Sequence, residues 1–368
     1  MGVVGGGQLA RMMGEAAHAV NVHLTVLAAS PEDAAGKTCD SLVLGDARDA
    51  SALARLADEV DVVTFDHELV DLEQIRELGA VVAVRPSASA LAFAVDKAHQ
   101  RRRLAAIGVA VPRHLIVSSV DDPALEPFLA SLDAPPVVKS ARGGYDGRGV
   151  TFCAGRDDAR AAISAIEGDA VIEEHLQLLG ELSQVLVRDV QGHVALYPLV
   201  TTLQREGMCV ETVFPAPSDF ASEAAQLASR IAEEADVVGV LAVELFVTTE
   251  GLMVNEVALR PHNTGHWTIE GTATSQFANH LLAVSGQGLG ATTPTEAAVV
   301  MVNVVGADEP GSALAAAEIP GAHVHDYGKS WRPGRKLGHV TVCSSDVTSA
   351  HVRAWQSARA YGTRTREA

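Results

Sequence analysis

The sequence predicts an α/β module, then an α+β module, then a small β-rich one. Three observations carry this reading. Short apolar runs alternate with helical patterns over the first ninety residues, strand patterns crowd together in the middle, and further apolar runs follow a Gly/Thr-rich stretch near the end.

In the first module the strand candidates are Val3–Val4, Leu24–Ala28, Leu42–Leu44, Val60–Phe65 and Val81–Val84, with helical spacing between them, as a parallel sheet requires. Arg85-Pro86-Ser87 breaks the pattern and sets a boundary, giving a module of residues 1–86. One helix is expected over Ala88–Ala106. The second module, 87–289, carries strands at Pro136–Lys139, Val171–Glu174, Glu181–Arg188 and His193–Pro198, and helices at Asp157–Ile166 and Ser218–Ala235. Gly286–Thr293 then leads to a third module, 290–368, with strands at Ala297–Val305, Val324–Asp326 and Gly338–Cys343. A polar tail follows, loose beyond Tyr361.

Composition narrows the function classes. A chain of 368 residues, 48% hydrophobic, fills several cores, and no run of ~20 apolar residues suits a bilayer span. The start enters a strand directly, without the pattern of a secretory signal, so a cytoplasmic location is expected. The four cysteines are scattered, as reduced buried thiols are. A net charge of -18 disfavours nucleic acid and anionic membrane as partners.

Gly5-Gly6-Gly7-Gln8-Leu9-Ala10 follows the first strand and matches a phosphate-binding turn, although such glycines equally serve a tight strand-to-helix connection. No acidic residue ends the second strand, which argues against a nicotinamide dinucleotide. A second loop, Gly143 to Gly149, follows Val137-Val138-Lys139. A lysine beside a glycine flap suits nucleotide phosphates, and the absence of Gly-Lys-Ser/Thr excludes a P-loop.

Glu244 and Glu256 interrupt two apolar strands on either side of Thr249-Glu250-Gly251, a spacing that pairs them in a hairpin. With Asn255 they offer the hard oxygen ligands that magnesium uses. Arg260-Pro261-His262-Asn263-Thr264-Gly265-His266-Trp267-Thr268 then supplies donors for an anionic or heteroaromatic ligand. Arg332-Pro333-Gly334-Arg335-Lys336-Leu337-Gly338-His339 concentrates cations in an acidic chain, as a phosphate clamp does.

Together, GGYDGRG at Gly143–Gly149, NEVALRPHNTGHWT at Asn255–Thr268 and RPGRKLGH at Arg332–His339 resemble the N5-carboxyaminoimidazole ribonucleotide synthetases of the ATP-grasp superfamily, over nearly the whole chain. The resemblance implies a Rossmann-like pre-ATP-grasp domain, an ATP-grasp nucleotide clamp and a small β-rich C-terminal domain. It implies ATP contacts from Lys97, Lys139, Gly143, Gly144, Tyr145, Asp146, Gly147, Arg148, Gly149, Glu173, Glu174, His175, Leu176, Glu181, Asn255 and Glu256. Glu244 and Glu256 become ligands of Mg2+, or of Mn2+ in its place. The ribonucleotide is expected against Gly7, Gln8, Leu9, Glu68, Tyr145, Asp146, Arg260, His262, Asn263, Arg332, Arg335 and Lys336, with catalytic roles for Asp146, Arg260, His262 and Lys336.

The activity implied is carboxylation of aminoimidazole ribonucleotide with ATP and bicarbonate, through carboxyphosphate, in purine biosynthesis. A homodimer and a functional link to the mutase of the next step are implied with it. The rival readings are a formate-dependent glycinamide ribonucleotide formyltransferase and a non-catalytic ATP-binding regulator. Two segments depart from the family pattern. Thr201 to Gln204 replaces an asparagine- and histidine-bearing stretch, which leaves Gln204 outside the expected site, and Asp66 stands where a glutamate is usual.

Overall fold

The computed structural model describes residues 1–144, 148–205 and 207–364. Its first sheet is parallel, β1 (Gly2–Val4), β2 (Thr25–Ala28), β3 (Ser41–Leu44), β4 (Val62–Phe65) and β5 (Ala83–Val84), in the order β3-β2-β1-β4-β5. The residues of β1, β2 and β4 are all buried, because helices cover both faces.

The helix Gln8–Ala17 buries Leu9, Ala10, Met12, Met13 and Ala17 on one side. That core is shared with Phe277, Leu281 and Val284 of the helix Gln276–Ser285, and with Tyr327 near the C-terminus. Each such buried side chain contributes ~1.5–3 kcal/mol, so the first module is anchored to the others by apolar contact.

A four-stranded sheet follows, of β6 (His114–Val117), β7 (Val137–Ser140), β8 (Val150–Phe152) and β9 (Ala170–Glu173), in the order β6-β9-β7-β8. The glycine flap lies between β7 and β8. The third sheet holds β10 (Gly180–Arg188), β11 (Val194–Leu196), β12 (Val200–Arg205), β13 (Met208–Phe214), β14 (Gly239–Thr248), β15 (Gly251–Ala258), β16 (Ala298–Val305), β17 (Ala322–Asp326) and β18 (Lys336–Ser344). Its order is β15-β14-β10-β12-β13-β16-β18-β17, with β11 beside β10.

Two local expectations are corrected, and the pairing of the C-terminal strands is added to them. The single helix over 88–106 is two, Ala88–Val95 and Lys97–Ala106, because Asp96 is extended and caps the second by accepting from the His99 amide at 2.9 Å. The strands of the β-rich C-terminal module extend the large antiparallel sheet, β16 pairing with β13. The polar tail contains the helix Val347–Tyr361, capped by Asp346 and ended by Gly362 at φ 92°. Its buried stripe of Ala350, Ala354, Trp355, Ala358 and Tyr361 is mostly small, so its helical period is faint in the sequence. Residues 365–368 lie outside the described residues.

Candidate active site

The first glycine loop packs against the end of β4. Gly5 has φ +104°, and a Cβ there would meet the His67 ring at 2.9 Å. The Asp66 carboxylate accepts from the Gly7 amide at 2.9 Å and the Ala10 amide at 2.7 Å. The start of the helix Gln8–Ala17 is thus occupied by a protein carboxylate, which uses the amides a phosphate would otherwise engage. Gly7, Gln8 and Leu9 still line the main cleft, and Gln8 Oε1 accepts from Lys329 Nζ.

The cleft has a volume of about 990 Å3 and runs from this loop across all three modules. Glu68 joins the first to the second: its Oε2 accepts from Arg260 Nε at 3.0 Å and its Oε1 from the Leu259 amide at 3.0 Å. Arg260, His262 and Asn263 line the cleft beside it. The Thr264 amide donates to His262 Nδ1 at 3.3 Å, so that nitrogen is the acceptor and Nε2 carries the proton of the neutral ring. Nε2 lies 3.9 Å from Glu244 Oε1. Both side-chain polar atoms of Asn263 are buried without a partner among the described residues, an arrangement suited to a polar ligand.

Glu244 and Glu256 stand directly opposite in the β14–β15 pair. The register then slips, Leu245 pairing with Val254, so Asn255 is the extra residue of a bulge. Its side chain accepts from Lys139 Nζ at 3.4 Å, and its carbonyl from Arg101 Nη2 at 2.8 Å. Burial, then repulsion from Glu256 and Glu181, pushes the Glu244 carboxyl above its ordinary range. Glu256 is about half exposed; the desolvation it does suffer acts the same way but is outweighed by Lys97, whose Nζ sits 3.0 Å from Oε1 and holds the carboxyl down.

Two carboxylates this close suit a cation. Among the described residues no cluster of three His, Cys, Asp or Glu is arranged to hold a metal alone. The pair fits an ion that, like Mg2+, takes its other ligands from phosphate oxygens and water.

Beneath the cleft lies a buried ion network. Glu173 accepts from Arg101 Nε at 2.7 Å and lies 2.7 Å from Lys139 Nζ. Burial would raise the Glu173 carboxyl, but Arg101 and Lys139 outweigh it and hold it down to about 2. Burial lowers Lys139, with Glu173 opposing. The neighbouring Glu174 is taken by Arg113, at 3.0 Å from its Nε. The side chains of Glu173 and Glu174 are therefore engaged within the protein, and neither residue lines the cleft.

The flap contributes Gly143, Gly144 and Arg148 to the cleft, and the Gly149 carbonyl accepts from the Ser140 amide at 2.8 Å. Tyr145, Asp146 and Gly147 lie outside the described residues. Of the C-terminal cations Lys336 lines the cleft. Arg332 and Arg335 are not brought to it, and Arg335 donates to the Ser330 hydroxyl and carbonyl at 2.7 and 3.1 Å. Lys139, His175, Leu176, Glu181 and Asn255 also fall outside its lining.

Sequence reasoning missed several cleft residues. Gln204, left out as a departure, lines the cleft and donates to Glu244 Oε1 at 3.1 Å. Arg48 and Arg76 reach it from the first module, and Arg142, anchored on Asp96 at 2.9 Å, from the second. Arg101, buried between Glu173 and Asn255, carried no signal, since it stands in a run of three arginines of which the other two are exposed.

Family models match in the same chain order: a ribonucleotide synthetase preATP-grasp domain over residues 1–95, an ATP-grasp domain over 102–277, and a phosphoribosylaminoimidazole carboxylase C-terminal domain over 299–353. The chain is 47% identical over 367 residues to the N5-carboxyaminoimidazole ribonucleotide synthase of Mycobacterium tuberculosis, covering 96% of this chain and 85% of that protein. It is 35% identical to that of Pseudomonas aeruginosa, covering 96% and 97%.

Among solved structures, the synthetase from Thermus thermophilus superposes with a TM-score of 0.89 at 35% identity, over 99% of each chain. The synthase from Aspergillus clavatus in complex with ADP and 5-aminoimidazole ribonucleotide superposes at 0.88 and 30% identity, over 98% of this chain and 97% of that one. Identity sustained along the whole chain, over the same three-part architecture, makes this protein a member of the N5-carboxyaminoimidazole ribonucleotide synthase family of ATP-grasp ligases.

Proposed function

We propose that this chain carboxylates the exocyclic amine of 5-aminoimidazole ribonucleotide with ATP and bicarbonate, releasing ADP and phosphate, in purine biosynthesis. The observation that carries the reading is that one cleft joins the Glu68–Arg260 pair and Lys336 to the carboxylate pair Glu244 and Glu256 and to the flap residues Gly143, Gly144 and Arg148. Such a cleft brings an anionic ribonucleotide to the phosphate end of a nucleotide.

A bicarbonate oxygen attacks the γ-phosphorus of ATP, the bond to the β-phosphate oxygen breaks, and carboxyphosphate and ADP result. Lys97, which lines the cleft, neutralises the charge that moves onto the phosphates, with Lys139, paired to Glu173 behind the lining, as the second candidate named from the sequence. Mg2+ on Glu244 and Glu256, when bound, supplies further charge neutralisation on the phosphoryl oxygens. Arg260, held by Glu68, and Lys336 bind the anionic ribonucleotide and orient its amine. The amine then attacks the carboxyl carbon while inorganic phosphate leaves and the amine loses a proton. Asp146 is the sequence candidate to receive that proton. Closure of the flap over the cleft excludes water from carboxyphosphate.

The site residues named from the sequence that line the cleft, the three modules 1–86, 87–289 and 290–368, and a cytoplasmic homodimer feeding a mutase complete the proposal. Family membership and the absence of a membrane-length apolar helix among the described residues support it. The test is ADP release with ATP, Mg2+ and bicarbonate, with and without aminoimidazole ribonucleotide, against formate with glycinamide ribonucleotide. Stimulation by the first pair alone is expected; stimulation by the second would reassign the substrate.

A further inference from the structure

We propose that Gln204 is a positioning residue that fixes the cation-binding carboxylates, so that metal affinity depends on its amide. The proposal rests on the metal reading of Glu244 and Glu256 above. Glu244 stands opposite Ser183, and Glu181 lies two residues along the same strand, on the same face of the sheet. Glu256, opposite Glu244, adds a third carboxylate to that face. Mutual repulsion would turn these side chains apart.

Gln204 opposes this with two donors. Its amide N–H donates to Glu181 Oε2 at 3.1 Å and its Nε2 to Glu244 Oε1 at 3.1 Å. One neutral residue thereby bridges two carboxylates on adjacent strands. The side-chain amide presents its nitrogen end to Glu244.

The backbone is shaped for this contact. Along β12 and β13, Leu203 pairs with Glu211 but Gln204 pairs with Cys209, so Val210 is an extra residue and the register slips beside Gln204. Such bulges re-aim a side chain and are frequent next to active sites. A matching slip at Asn255 flanks Glu256 on the far side. The carboxylate group is therefore bracketed by two irregularities of the sheet.

A charge-assisted hydrogen bond to a fixed carboxylate is strong enough to change an affinity roughly tenfold when lost. Gln204→Met keeps the length and removes the side-chain donor, while the backbone donor to Glu181 remains. Gln204→His restores an N–H. The measurement is Mn2+ binding to the full chain with ADP, by electron paramagnetic resonance, beside ADP affinity in EDTA.

The expected result is about tenfold weaker Mn2+ binding in Gln204→Met, substantial recovery in Gln204→His, and unchanged ADP affinity in EDTA for both. Equal Mn2+ binding by Gln204→Met and the native chain would overturn the role, as would a parallel loss of metal-free ADP binding, which marks general disruption. Glu256→Gln separates the two layers of argument. If it too binds Mn2+ like the native chain, the carboxylate pair is not the metal site and both readings fall; if it alone loses Mn2+, only the role of Gln204 falls.

Discussion

Thr64 and His280 are 216 residues apart and joined by a hydrogen bond of 2.8 Å between Oγ1 and Nε2, both buried. The Val240 amide donates to the other ring nitrogen, Nδ1, at 3.1 Å, so Nε2 carries the proton and donates it to the threonine. One neutral imidazole thus ties the last buried strand of the first module to the large sheet.

Replacing His280 by alanine strands both partners and opens a cavity, and a loss of roughly 2–4 kcal/mol is expected. Chemical denaturation of the variant at neutral pH measures it. Burial lowers the His280 pKa to about 3, below the ordinary value of 6.5. The stability contributed by the neutral ring is therefore present above pH 6.5 and declines as pH falls toward 3. His280→Ala should flatten that part of the stability profile.

Glu173→Gln removes a negative charge between Arg101 and Lys139, both buried. Leaving those cations short of a partner costs roughly 3–5 kcal/mol. The Glu173 pKa is depressed from 4.5 to about 2, so its contribution is present above pH 4.5 and is lost as pH falls through 2. A variant with native stability would show that the network contributes nothing net.

Glu256→Gln keeps the shape of a side chain that is 48% exposed, so folding should be nearly unchanged. Magnesium-dependent ADP release should fall at least about a hundredfold, the scale of losing one electrostatic contact to the transferring phosphoryl group. Near-native turnover would remove Glu256 from the magnesium site.

Glu68→Ala releases the Arg260 guanidinium and the Leu259 amide together. The KM for the ribonucleotide should rise about tenfold while that for ATP changes little, because Glu68 acts through the substrate arginine. Steady-state kinetics with each substrate varied in turn distinguishes this from a general loss of folded enzyme.

Lys336→Ala should likewise raise the ribonucleotide KM about tenfold, whereas Arg335→Ala should leave it nearly unchanged, since Lys336 lines the cleft and Arg335 does not. Equal effects at the two positions would contradict the geometry.

The sequence by itself determined the parallel first sheet, the Glu244–Glu256 hairpin and the motifs that identify the family, because each is written in local periodicity or in a contiguous run of residues. Glycines at Gly5–Gly7 and Gly143–Gly149 were legible for the same reason. Tertiary structure alone decided that Asp66 takes the first helix terminus, that Glu173 is consumed by Arg101 and Lys139, and that Gln204 reaches Glu244. It also decided that β16 joins β13. These are contacts between residues 34 to more than 80 positions apart, or they depend on a one-residue slip of register. Neither long-range pairing nor a bulge leaves a periodic trace in the chain, since both follow from how whole elements pack.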